Sequence, residues 1–176
     1  MDDTDPCPVP SPFVSVGGEL HLSNRDQLQL LQAVTVRGAR FRTTARGYSM
    51  SPFIRHQDVL TIAPLNGVVL RVGEVVAFIL PGCDRLAIHR VIALADDGWM
   101  IRGDNVSQAD GVVSCERILG RVTRVERRGR TVHFGLGKEA RLIAWLQRAD
   151  MLMPAVSFMR RVRQQFSRVK PRLSGN

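Results

Sequence analysis

The pattern that most constrains the fold is a series of short runs rich in Val, Ile and Thr between residues 39 and 135. Gly, Asn and Asp separate these runs, and such spacing is typical of strands joined by tight turns. The strands are predicted at residues 40–46, 57–63, 73–80, 85–94, 98–102, 117–127 and 130–135. We therefore expect a mainly β fold, built as a curled antiparallel sheet or partial barrel.

The segments on either side of the sheet differ from it in composition. Residues 1–16 are rich in Pro, Asp and Ser, and we predict that they form a disordered N-terminus. Residues 17–38 are a short helical lead-in, in which Asn24 is the expected N-cap. Residues 39–136 form the β domain, and residues 137–176 form an amphipathic, basic helical tail.

The charge of the chain is concentrated in this tail. The formal net charge is +9, and most of the excess lies beyond residue 137. An apolar helix face with an arginine-rich end is typical of peripheral contact with an anionic membrane surface, but a helix packed on the sheet before a solvated tail has the same pattern. The lead-in is too short for a helix-turn-helix, so we expect no specific binding of nucleic acid.

Three further features bear on location and cofactors. No stretch approaches the roughly 18 apolar residues that a membrane-spanning helix needs, and the N-terminus is acidic where a secretory signal is basic. We therefore expect a cytoplasmic protein, peripheral at the membrane if the tail docks there. Cys7, Cys83 and Cys115 lack the spacing of a zinc site, and we expect neither a metal nor another cofactor.

Three fragments contain side chains that could together perform acyl transfer. Ser49 lies in a turn between a Gly and a Pro, His89 interrupts an apolar strand, and Asp104 and Asp110 follow in a Gly-Asp-Asn loop and its continuation. Each fragment alone has an ordinary structural explanation. Together they offer a nucleophile, a base that titrates near neutrality and a carboxylate to orient that base.

The order and spacing of these fragments resemble the signal peptidase I superfamily, which also contains self-cleaving repressor-type peptidases. The similar boxes are Gly47-Tyr48-Ser49-Met50-Ser51-Pro52, Gln57-Asp58-Val59-Leu60, Gly73-Glu74-Val75-Val76-Ala77-Phe78, His89-Arg90-Val91-Ile92 and Arg102-Gly103-Asp104-Asn105. Gln57 and Glu74 stand where the family usually has Gly and Asp. The His89 and Gly-Asp-Asn boxes are similar to the endoplasmic-reticulum and archaeal-type branch, in which histidine replaces the lysine base.

The resemblance implies a serine endopeptidase that cleaves a leader or signal-type peptide through an acyl-enzyme. It implies that Ser49 is the nucleophile and His89 the general base, with Asp110 preferred to Asp104 as the orienting acid. The peptide is expected to bind in an extended conformation, as an added strand. The residues expected to line its groove are Met50, Pro52, Val76 and Phe78.

Other assignments remain open in the sequence. Lys138 and Lys170 are the only lysines, and both lie beyond the predicted sheet, so a Ser–Lys mechanism has no suitable base. His56 is a rival base and Ser51 a rival nucleophile, whereas His21 and His133 are expected to be ordinary surface or packing residues. A catalytically weak or inactive peptide-binding module of the same fold is the alternative function.

Overall fold

The computed structural model describes residues 23–83 and 85–168. The predicted disordered segment, residues 1–16, and His21 lie outside the described residues. The elements, in chain order, are α1 (Asn24–Val36), β1 (Phe41–Thr44), β2 (Val59–Ala63), β3 (Val75–Ile79), β4 (Leu86–Ala95), β5 (Gly98–Arg102), β6 (Gly111–Val113), a 3-10 turn (Cys115–Arg117), β7 (Ile118–Arg127), β8 (Arg130–Val132), α2 (Ala140–Arg148) and α3 (Leu152–Arg168).

The strands form one antiparallel sheet in the order β1-β2-β7-β3-β4-β5-β6, and β8 pairs with β7 as a hairpin. The prediction of a mainly β, antiparallel fold is therefore confirmed. In the part of the chain that the structure describes, the sheet does not close into a barrel, because β1 and β6 are its two ends. Strand β6 was not predicted, since its three residues directly follow the Gly-Asp-Asn loop, whose turn residues dominate the local pattern.

The first helix begins one residue earlier than expected, because Ser23 rather than Asn24 is its N-cap. The Ser23 hydroxyl accepts a hydrogen bond from the Asp26 N–H at 3.2 Å, and the Asp26 carboxylate accepts one from the Ser23 N–H at 3.3 Å. This reciprocal capping box satisfies two backbone donors at the helix start. The Asn24 side chain is consequently available for a contact with β4.

The core lies on both faces of β3. Val75 and Ala77 join one apolar cluster, whereas Val76 and Phe78 join a second cluster on the opposite face. Successive side chains of a strand point to opposite faces, so β3 is buried on both sides. Val76 and Phe78 have no exposed surface, and the expectation that they line a peptide groove is corrected by this burial.

Two helices follow the sheet where one basic helical tail was expected. Ile143 of α2 packs with Phe53 and with Leu152 of α3, so the first part of the tail is attached to the domain. Leu142 and Trp145 lie on the outer side of α2 and are 58% and 60% exposed. Within the described residues, no helix combines the length and the apolar character that crossing a membrane requires.

Candidate active site

Ser49 lies in the turn that follows β1, and this turn is fastened to the loop that follows β5. The Ser49 carbonyl accepts a hydrogen bond of 2.7 Å from the Asn105 N–H. Gly103 has no room for a side chain, because a Cβ there would lie 2.9 Å from the Ser49 carbonyl oxygen and 3.0 Å from His89 Nε2. The glycine of the Gly-Asp-Asn box therefore permits the close approach of the serine turn and the histidine.

The His89 ring stands between Ser49 and Asp110. Its Nε2 lies 2.9 Å from Ser49 Oγ, and its Nδ1 lies 2.6 Å from Asp110 Oδ2. In the tautomer that carries its proton on Nδ1, the imidazole donates to Asp110 and accepts from the Ser49 hydroxyl. This is the hydrogen-bond sequence through which a histidine deprotonates a serine while a carboxylate orients the ring.

The sheet fixes both partners of Ser49. His89 pairs in register with Val76, and its ring centroid lies 6.0 Å from that of Phe78. Asp110 immediately precedes β6, and its N–H donates to the Ile101 carbonyl at 2.9 Å. Strand β5 lies between β4, which carries His89, and β6, which follows Asp110, and it pairs with both; the two side chains are only 11% and 13% exposed.

Asp104 is placed away from the imidazole nitrogens that bond Ser49 and Asp110, so it is not the orienting acid. Arg90 donates to both oxygens of its carboxylate, and the two side chains are fully buried. Burial raises the pKa of the Asp104 carboxyl above its ordinary value, and the hydrogen bonds from Arg90 oppose that rise. Arg90 also donates to the carbonyls of Gly73 and Gly135, each at 2.8 Å. Asp104 thus fixes the Arg90 side chain, which attaches β4, the strand of His89, to the Gly73 and Gly135 carbonyls.

Two residues that support the site were not predicted from the sequence. Arg90 stands in an apolar strand beside His89, and an arginine in such a strand was the available signal, since a buried guanidinium needs a partner. Gln147 of α2 is 2% exposed and donates to the Gly103 carbonyl at 2.7 Å. Nothing in the α2 sequence distinguishes this glutamine from a surface residue. The helix therefore braces the loop that touches Ser49 and His89.

The rival residues have other contacts. His56 is exposed, its Nδ1 accepts from the Gly47 N–H at 3.3 Å, and its ring lies 5.7 Å from that of Tyr48. Ser51 donates its backbone N–H to the Tyr48 carbonyl at 3.0 Å. His133 is exposed on the surface. The ring that contacts the Ser49 hydroxyl is that of His89.

A cleft of about 430 Å³ opens beside Ser49 and His89. It runs between the end of β1 and the beginning of β4, and Asn24 of α1 borders it. Met50 lines this cleft as expected, although its side chain is only 5% exposed. Pro52 does not line it, although Ile54 and Arg55, which follow shortly after, do.

Two backbone edges face each other across the cleft. On β4, Arg85 and Val91 bond toward β3, so by alternation the N–H and C=O groups of Leu86 and Ile88 point toward the cleft. On β1, Ala45 bonds toward β2 through Asp58 and Gln57, so the backbone groups of Thr44 point the other way. The arrangement is suited to an extended peptide that pairs with both edges.

An antiparallel sheet that holds a serine, a histidine and an aspartate in hydrogen-bond sequence beside an open cleft has the geometry used by serine hydrolases. No protein-family model matches this sequence, and no curated protein matches it significantly.

Proposed function

We propose that this protein is a serine endopeptidase of the signal-peptidase-like kind, which cleaves a leader or signal-type peptide. The observation that carries the proposal is the continuous contact from Ser49 through His89 to Asp110, with distances of 2.9 Å and 2.6 Å. Both ring nitrogens of a buried histidine need hydrogen-bond partners, and the Asp110 carboxylate is the partner of Nδ1. Contact of the second nitrogen with a serine hydroxyl at the end of a cleft is what catalysis requires.

The proposed reaction is acyl transfer. His89 Nε2 takes the hydroxyl proton as Ser49 Oγ bonds to the peptide carbonyl carbon, and Asp110 stabilises the imidazolium. The carbon–nitrogen bond then breaks, and the imidazolium gives its proton to the leaving amine. Water, deprotonated by His89, attacks the Ser49 ester and restores the hydroxyl. Backbone N–H groups of the turn around Ser49 are the proposed donors to the oxyanion.

The substrate is proposed to bind as an extended strand between β1 and β4. Thr44 and Ile88 offer backbone groups on the two sides of the cleft, and Met50 offers an apolar surface beside the serine. Main-chain pairing gives such a groove affinity for many sequences, so selectivity depends on the side chains that fit its walls. The same groove without the Ser49 chemistry would serve the alternative function, an inactive peptide-binding module.

We further propose that the outer side of α2 contacts an anionic membrane surface. Exposed Leu142 and Trp145 lie beside Arg141 and Arg148, which are also exposed. Apolar and aromatic side chains flanked by arginine suit the boundary between acyl chains and anionic headgroups. The cytoplasmic leaflet carries such a negative surface charge, which supports action in the cytoplasm at the membrane.

The decisive experiment measures cleavage of a library of extended peptides by mass spectrometry. Ser49→Ala and His89→Ala are expected to abolish cleavage, and the matched controls Ser51→Ala and His56→Ala are expected to retain it. Circular dichroism establishes that each variant is folded. Undiminished cleavage by folded Ser49→Ala would end the proposed mechanism, whereas peptide binding without cleavage by the unmodified protein would establish the binding module.

A further inference from the structure

The side chain of Asn24 occupies a strand-pairing position on β4. Its amide nitrogen donates to the Leu86 carbonyl at 3.1 Å, and its amide oxygen accepts from the Leu86 N–H at 2.8 Å. One side-chain amide thus satisfies both backbone groups that Leu86 directs into the cleft. These are the two bonds that a paired residue of a neighbouring strand would make.

The edge of β4 that faces the cleft is consequently short. Strand β5 pairs with β4 from Arg90 onward, and Asn24 bonds Leu86 at the beginning of β4. Between them, Ile88 is the residue whose N–H and C=O point toward the cleft, since outward-facing residues alternate along a strand. A peptide in this cleft therefore has one complete pairing position on β4.

The position of Asn24 also limits the length of the groove. Leu86 and His89 are three residues apart on one strand, which is about 10 Å at roughly 3.3 Å per residue. Ser49 and His89 line the cleft, and so do Leu86 and the Asn24 that bonds it. About three extended residues fit between the serine and the asparagine.

We propose that Asn24 terminates the peptide groove, so that the protein holds about three extended substrate residues between Ser49 and Leu86 and leaves residues beyond them unbound. This inference rests on the peptide groove of the proposed function and assigns α1 the role of its boundary. Asn24 is a specificity-determining residue here, because it excludes a further strand pair without touching the reacting atoms.

The test uses nested series of peptides, extended by one residue at a time on either side of a bond that the full-length protein cleaves. In the unmodified protein, kcat/KM is expected to stop rising after about three residues on one side. In Asn24→Ala, kcat/KM is expected to keep rising over two further residues, by about two- to tenfold, because the two Leu86 backbone groups become available for hydrogen bonds.

Asn24→Ser is a second variant, because its side chain is too short to bridge both Leu86 groups. The matched control is Arg25→Ala, at an exposed position on the same helix.

Binding of the same peptides to Ser49→Ala, measured by fluorescence anisotropy with and without the Asn24 substitutions, separates the groove boundary from the chemistry. If affinity continues to rise with longer peptides in the Asn24 variants than in the protein with Asn24, the result supports the groove boundary even if no peptide is cleaved. Cleavage with the same limit in folded Asn24→Ala and Asn24→Ser overturns the boundary and leaves the peptidase intact. Absence of both cleavage and binding overturns both proposals.

Discussion

Arg90 and Asp104 form a fully buried, two-bonded ion pair beside the histidine of the site, with nitrogen–oxygen distances of 2.8 Å and 2.7 Å. Arg90 directly follows His89 on β4, so the two side chains point to opposite faces of the strand. The guanidinium also joins the Gly73 and Gly135 carbonyls. Strand β4, which carries the proposed base His89, is therefore held in place by contacts on its opposite face.

Removal of the Asp104 carboxylate is expected to destabilise the fold. Asp104→Ala leaves an unpaired buried guanidinium, which costs about 3 to 5 kcal/mol of unfolding free energy. Urea denaturation measures this loss. The control is Arg124→Ala, which breaks the partly exposed pair with Glu126 and should cost less than about 1 kcal/mol. A stable but inactive Asp104→Ala would instead indicate a direct part in catalysis.

Asp110 is expected to affect the rate and not the fold. Asp110→Asn keeps the shape of the side chain but removes the charge that stabilises the imidazolium, so kcat should fall by about 10²- to 10⁴-fold. KM should change little, because Asp110 contacts the ring and not the peptide. Asp97→Asn, at an exposed turn position, is the matched control. Equal losses in both variants would contradict the assigned role.

The sequence predicted most strands of the sheet and the candidate site residues, but it did not predict the residues that hold these elements in place. The Val, Ile and Thr runs located seven of the eight strands found in residues 23–83 and 85–168, since alternation and turn residues are local signals. The resemblance brought Ser49, His89 and Asp110 together as candidates, and the structure brings them into contact. The resemblance did not decide between Asp104 and Asp110 as the orienting acid, because that choice depends on which of the two carboxylates pairs with Arg90.

Other differences arise from tertiary contacts that no local pattern contains. Val76 and Phe78 were expected in the groove, but the second apolar cluster covers their face of β3. Asn24 was expected as a helix cap, but Ser23 caps the helix and Asn24 bonds a strand 62 residues away. Gln147 braces the loop at Gly103 across 44 residues of sequence.

Gln57 stands at a position that favours glycine. Its φ of 69° lies in the left-handed region, which costs a residue with a side chain roughly 1 kcal/mol or more. Gln57→Gly is therefore expected to raise the unfolding free energy by about 0.5 to 1 kcal/mol, after the greater entropy of an unfolded glycine is subtracted. Thermal denaturation measures this change in the unfolding free energy. Gln108→Gly, at an exposed loop position without positive φ, should instead be neutral or destabilising.

The outer face of α2 gives a prediction for membrane contact. Leu142→Ala and Trp145→Ala should each reduce sedimentation with vesicles that contain phosphatidylserine, since both side chains are exposed beside arginines. Leu94→Ala is the matched control, because Leu94 is 68% exposed on the β4–β5 hairpin. Neutral phosphatidylcholine vesicles should bind less protein. Equal binding by all three variants would exclude this face of α2.

Glu139 gives a prediction for acid stability. Although burial opposes the effect, hydrogen bonds from the backbone N–H groups of Glu139, Gly135 and Gly137 lower the pKa of its carboxyl below the ordinary 4.5. A lowered pKa stabilises the fold above about pH 4.5, and this contribution is lost as the pH falls through the folded-state value. Glu139→Gln should therefore lower Tm at pH 7, and the difference from the unmodified protein should shrink in acid. A difference that is constant with pH would contradict this.

The order of strands in the sheet has a consequence for when the proposed site can assemble during synthesis. Ser49 follows β1 and His89 lies on β4, and β2, β7 and β3 separate these strands in the sheet. Four strand spacings span about 19 Å in a flat sheet, so the 2.9 Å contact depends on curvature across that interval. Strand β7, which joins β2 to β3, is translated after both. In this sheet Ser49 and His89 can therefore meet only after Ile118–Arg127 has been translated, so a shorter chain of the proposed peptidase is expected to be inactive.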